Sequence, residues 1–203
     1  MIGRMRLAAA ALLAGVRAVT IAVLASVMPA SASDDPRSVS PYAATPETVV
    51  QAMLRMAEVG PRDYVIDLGS GDGRMVIAAV ADFGARGLGV DIDAKLVDLA
   101  SRIAARDGVA DRARFREQDL FETDLSQATV ITVYLLPAIM DRIARKLRTA
   151  LAPGTRVVTH DFPLPGWPVQ RVQMLDVPEK RDYQYSASTT LYLYRVPEKG
   201  TRW

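Results

Sequence analysis

From residue 45 onward the chain alternates segments of helical period with short apolar runs. Thr45 before Pro46 reads as an N-cap and a first helical residue, and Val49, Val50, Met53, Leu54 and Ala57 then recur at helical spacing before Gly60. Strands are predicted at 64–67, 87–90, 114–118, 129–135 and 155–160, three of them continuous apolar runs of the kind buried on both faces. Between them, Met75, Ile77, Ala78 and Phe83 mark one helix, and Leu96, Leu99, Ala100 and Ile103 form one face of another, which Asp93 caps and Gly108 ends. Ile139, Ile143, Leu147 and Leu151 mark a later helix. After His160 the helical period stops, and two more strands, 169–177 and 187–196, flank a charged turn at 178–182. The expected architecture is α/β: a doubly wound, mostly parallel seven-stranded sheet that finishes in a C-terminal antiparallel hairpin.

The pattern before residue 45 is different. Residues 1–32 hold Arg4, Arg6 and Arg17, no acidic residue, two apolar runs and the small triplet Ala30-Ser31-Ala32. This is the layout of a secretory signal peptide cut after Ala32, and it implies an exported, periplasmic protein with no stable membrane insertion once cleaved. The alternative is an uncleaved membrane anchor, which would hold Arg17 near mid-bilayer at a cost of about 3 kcal/mol. Residues 33–41, rich in Ser, Asp and Pro, read as a linker, which leaves 42–203 as the folded domain.

That division changes the meaning of the charge. The 203 residues carry 25 Lys and Arg against 23 Asp and Glu, but removing three arginines leaves 22 against 23. No basic cluster with interleaved aromatics remains, so a nucleic-acid partner is not expected. With no Cys and one His, neither a disulfide framework nor a transition-metal site is expected.

The chemistry concentrates in Val65-Ile66-Asp67-Leu68-Gly69-Ser70-Gly71-Asp72-Gly73-Arg74 and, after the second strand, Asp91. Glycines let a strand-to-helix turn pass close beneath a ligand, and the following helix N-terminus attracts an anion. Asp91, 20 residues past Gly71, suits both hydroxyls of a ribose. A dinucleotide site has G-x-G-x-x-G; here the glycines fall at 69, 71 and 73, behind an acid at 67 that would repel phosphates and suit an ammonium. S-adenosyl-L-methionine (SAM), with an ammonium, a carboxylate, a sulfonium and an intact ribose, fits each feature.

In the D-x-G-x-G-x-G turn and Asp91 the sequence resembles the class I, Rossmann-like SAM-dependent methyltransferases. Within that class, Tyr42-Ala-Ala-Thr45-Pro46, the run from Asp67 to Arg74 and Ala152-Pro-Gly-Thr-Arg156 resemble the small protein-lysine methyltransferases of the archaeal and mitochondrial ATP synthase c-subunit type. The resemblance implies cofactor contacts from Thr45, Asp67, Gly69, Ser70, Gly71, Gly73, Asp91 and Asp119, with Asp119 at the adenine amino group. It implies a protein lysine amine as acceptor, with a small molecule or envelope component as the alternative. Tyr134-Leu-Leu-Pro137 stands where amide and nucleobase methyltransferases carry Asn/Asp-Pro-Pro-Tyr, which speaks against DNA and glutamine acceptors.

Methyl transfer is an in-line displacement, so proximity and alignment are the main contributions expected of the protein. Tyr134 and Asp161, each just past a strand end, are the candidates for orienting the acceptor. Asp72 is expected to cap a helix, His160 to be a satisfied strand-end residue, and Arg142, Arg145, Lys146 and Arg148 to form a solvated face with an Asp141–Arg145 pair. Two other readings are an NAD(P)-linked oxidoreductase, disfavoured by the glycine spacing, and a non-catalytic SAM-binding module, favoured by export away from the compartment where SAM is made.

Overall fold

The computed structural model describes residues 42–178, 180, 187–198 and 200. The expected signal segment 1–32, the linker 33–41 and most of the turn 178–182 lie outside the described residues.

The elements in chain order are α1 (Glu47–Met56), β1 (Tyr64–Leu68), α2 (Arg74–Ala81), β2 (Arg86–Asp91), α3 (Ala94–Arg106), β3 (Ala113–Glu117), β4 (Val130–Val133), α4 (Pro137–Ala150), β5 (Arg156–His160), β6 (Arg171–Asp176) and β7 (Ser188–Arg195). They form one seven-stranded sheet in the order β3-β2-β1-β4-β5-β7-β6. The first five strands run parallel, and β7 joins β5 and β6 antiparallel. The expected mostly parallel sheet with a terminal hairpin is therefore the observed one.

Its central strands are apolar on both faces because alternate side chains serve different cores. Val65, Val130 and Val158 pack with α1 and α2, whereas Ile66, Ile131 and Val157 pack with α4 and with Leu164 and Trp167. Ile143 and Leu147 of α4 are fully buried, each contributing about 2 kcal/mol of apolar burial. Among the described residues, no helix is long and apolar enough to cross a membrane.

Most strand ends lie within one or two residues of expectation, and two differing boundaries bear on the site. Helix α1 starts at Glu47 with Pro46 as N-cap and no side-chain cap bond, so Thr45 lies just outside it. The run 129–135 is a strand only over Val130–Val133, and Tyr134 and Leu135 leave the ladder at the end where the chain order reverses about β1. Open α/β sheets place ligands at that reversal, beyond the carboxyl ends of the strands.

Candidate active site

A cavity of about 290 Å³ opens at this end of β1, β2 and β4. Its floor is the turn from β1 to α2. The N–H groups of Gly69 and Ser70 both donate to the Val90 carbonyl at 2.9 Å, tying the turn to β2. Gly71 has φ +53°, and a Cβ there would meet the Tyr42 ring at 2.5 Å, so this position accepts only glycine. Gly73 has another purpose. It does not line the cavity; a Cβ there would stand 2.6 Å from Phe115 and 2.7 Å from Ala100, so its bareness lets the turn pack on β3 and α3.

Asp67, Asp72, Asp91 and Asp119 line the cavity, and among the described residues only two guanidiniums, Arg74 and Arg142, face them there. The Asp67 carboxylate is buried, accepts a 2.6 Å hydrogen bond from the Thr132 hydroxyl and is pushed up to about 7, by burial above all and then by the charges of Asp91 and Asp72. Asp91 accepts from the Gly71 N–H at 2.8 Å on one oxygen and from the Asp93 N–H at 3.0 Å on the other, which leaves each oxygen a further lone pair. Asp119 accepts from the Phe121 N–H at 2.7 Å through one oxygen. Ser70 also lines the cavity, and its buried hydroxyl has no partner among the described residues.

Residues 42–45 form a strap across the turn. Arg74 donates to the Thr45 carbonyl at 2.8 Å and pairs with Asp72 at 2.5 Å. Burial pulls Asp72 up, but the bonds and charge of Arg74 outweigh it and hold the carboxyl below its ordinary value. Burial and the Asp72 charge push the Tyr42 phenol up to about 12. Asp72 only approaches the expected capping role: it meets the Arg74 N–H at 3.3 Å, while the N-cap of α2 is Gly73.

On the β4 side, Tyr134 lines the cavity and its ring stacks on His160, centroids 3.8 Å apart. Asp161 does not line it. One Asp161 oxygen accepts from the Thr190 N–H at 3.1 Å and the other from Lys180 at 2.7 Å, so the structure gives it an ion pair behind the wall rather than the direct contact with an acceptor expected of it. Thr45, Asp67, Gly69, Ser70, Gly71, Asp91, Asp119 and Tyr134 do converge on one cavity.

Sequence reasoning missed Tyr42, Arg74 and Arg142 as lining residues, although Arg74 directly follows the glycine turn. The basic cluster on α4 divides: Arg145 pairs with Asp141 as expected, but the Arg142 guanidinium lies 3.4 Å above the Phe121 ring centroid and lines the cavity. Lys146 donates to the Phe121 and Thr123 carbonyls at 3.0 and 2.8 Å, and Arg148 donates to the Gly166 carbonyl. No local signal marked Lys180, which sits in a charged turn yet is buried.

Comparison with known proteins agrees with this geometry. The family model for the ANTKMT methyltransferase domain matches residues 67–171. A protein-lysine N-methyltransferase of Saccharolobus islandicus is 38% identical over 159 residues, 78% of this chain and 94% of that protein. The ATP synthase c-subunit lysine N-methyltransferase of Xenopus laevis is 34% identical over 127 residues, 63% of this chain but only 55% of that protein. A solved RNA methyltransferase of Salinibacter ruber in complex with S-adenosyl-L-homocysteine superposes with a TM-score of 0.71 at 42% identity, covering 79% of this chain and 97% of that one.

Proposed function

Since the chain belongs to the ANTKMT methyltransferase domain family, a family of SAM-dependent methyltransferases, we propose that it methylates the ε-amine of protein lysine residues. The lysine acceptor is supported by the two lysine-methylating relatives. The reading rests above all on one observation: a buried carboxylate, Asp67, in a cavity where four carboxylates face two guanidiniums. Such a lining disfavours phosphates and suits a ligand that carries an ammonium.

Bound there, SAM supplies an electrophilic methyl group on its sulfonium. Asp67 would take the ammonium, the first N–H groups of α2 the carboxylate, the spare lone pairs of Asp91 the ribose hydroxyls, and the free oxygen of Asp119 the adenine amino group. Tyr134, which lines the cavity, would orient the incoming lysine amine. In the transfer a nitrogen–carbon bond forms as the carbon–sulfur bond breaks, S-adenosylhomocysteine leaves, and the amine's surplus proton passes to solvent. The amine must arrive neutral, and desolvation in the cavity lowers its pKa. Alignment of amine, methyl and sulfur is the protein's main contribution, worth several kcal/mol.

Export to the periplasm belongs to the same proposal and rests on the composition of residues 1–32. The function is tested by incubating the full chain with methyl-tritiated SAM and a cell-envelope extract that retains its RNA. Label in methyllysine after acid hydrolysis is expected. Label confined to RNA, the substrate class of the Salinibacter protein, or to small molecules would replace the lysine reading.

A further inference from the structure

A second cluster of polar groups lies behind the wall that Tyr134 forms. Lys180 is 1% exposed, and the side chain of His160 is fully buried. The Lys180 ammonium donates to Asp161 at 2.7 Å and to the Thr189 hydroxyl at 2.5 Å, and its third hydrogen faces His160 Nε2 at 3.4 Å. Asp161, at φ +61°, is held in turn by two bonds to the Thr190 backbone, giving its N–H to that carbonyl at 2.7 Å and accepting from that N–H at 3.1 Å. An ion pair so deep in the fold costs desolvation, and removing either partner leaves a buried charge. It welds the end of β5 to the start of β7 and to the segment that follows β6.

Two donors face His160 Nε2: the Lys180 ammonium at 3.4 Å, and at 3.3 Å the Thr189 hydroxyl, which accepts from Lys180 and has its own hydrogen to give. Together they favour an accepting Nε2 with the ring proton on Nδ1. A proton on Nε2 would find only the Asp161 oxygen at 3.4 Å, which already accepts from the Lys180 ammonium at 2.7 Å. Nδ1 has no partner among the described residues, so the tautomer is decided from the Nε2 side. Burial and the neighbouring ammonium also push His160 down to about 4, against the pull of Asp161, which keeps the ring neutral under ordinary conditions. On this neutral ring lies Tyr134, 27° from parallel, which itself lines the cavity.

We propose that Lys180 and His160 are positioning residues of the acceptor site: Lys180 pins the imidazole as the Nδ1–H tautomer, and the pinned ring holds Tyr134 at the angle from which it orients the acceptor. This rests on the reading of Tyr134 as the acceptor-facing residue. The hairpin after β5, whose described residues line none of the cofactor cavity, thereby controls the geometry of transfer.

His160 is the chain's one histidine, so the imidazole 15N resonances of the full chain report on it alone. In the wild type a single Nδ1–H tautomer is expected, with its carbon-bound protons shifted upfield by the Tyr134 ring. In Lys180→Met the tautomers mix and the upfield shift falls away. Transfer of methyl groups to poly-L-lysine drops about tenfold or more in kcat, the scale set by a small misalignment, while calorimetric SAM affinity stays within about twofold. Lys180→Met leaves Asp161 unpaired; if it fails to fold, Lys180→Met/Asp161→Asn removes both charges and should show the same signature. An Nε2–H tautomer in the wild type, or unchanged resonances and transfer in a folded variant, overturns the proposal. A wild type with the expected resonances but no activity on poly-L-lysine counts against the lysine acceptor and leaves the pinned ring standing.

Discussion

Asp67→Asn separates the cost of the cofactor site from its use. The variant is isosteric, and Oδ1 still accepts from the Thr132 hydroxyl at 2.6 Å. What it removes is a buried charge whose pKa is displaced from 3.8 to about 7. Because the folded state holds the proton more tightly than the unfolded one, ionisation of Asp67 drains stability as pH rises from about 4 to about 7, and the loss is complete above that. At about 1.4 kcal/mol per pKa unit the displacement amounts to roughly 4 kcal/mol at pH 8, an upper figure for one carboxylate. Melting curves of the chain without cofactor should therefore show Asp67→Asn more stable than wild type, by up to about 10 °C at pH 8 and by little near pH 4. SAM binding should move the other way. Losing a charged hydrogen bond to the ammonium is worth about 1.5–3 kcal/mol, so calorimetry should find affinity weaker by roughly 10- to 100-fold. A variant equally stable at both pH values, or one that binds SAM as tightly as wild type, would refute the assignment of Asp67 as a strained anchor.

Other consequences follow from the strap, the turn and the leader. Arg74→Met removes the bond to the Thr45 carbonyl and the pair with Asp72, and should weaken SAM binding about tenfold while exposing the segment around Tyr42 to limited proteolysis. Gly71→Ala must force a Cβ against Tyr42 from a left-handed backbone; a loss of about 1–3 kcal/mol in urea unfolding and no detectable SAM binding in calorimetry are expected. N-terminal sequencing of protein recovered from the periplasm should begin at Ser33, and an intact start at Met1 would contradict the export reading.

The elements were legible wherever local chemistry decides them. Gly108 and Asp93 end and begin α3 as their positions foretold, the latter accepting from the Lys95 N–H at 2.8 Å. The glycine turn and Asp91 announced the site because a turn and a strand end are both local features, and the order of strands brings them together. What stayed hidden depends on distant packing. Arg142 has the spacing of a solvated helix face, yet the Phe121 ring draws its guanidinium to the mouth. Lys180 sits in a run of charges that reads as solvent-exposed, and its burial is set by Asp161, just past β5, and Thr189 of β7. Asp161 followed the same rule: its place beyond β5 was foreseen, its ion pair was not.

The cofactor assignment is tested most directly by titrating SAM into the full chain and into Asp91→Ala in a calorimeter, with NADH as the control ligand. One SAM bound per chain, none bound by Asp91→Ala, and no heat from NADH are expected. Equal binding of SAM by the variant, or binding of NADH in place of SAM, would contradict the site described above.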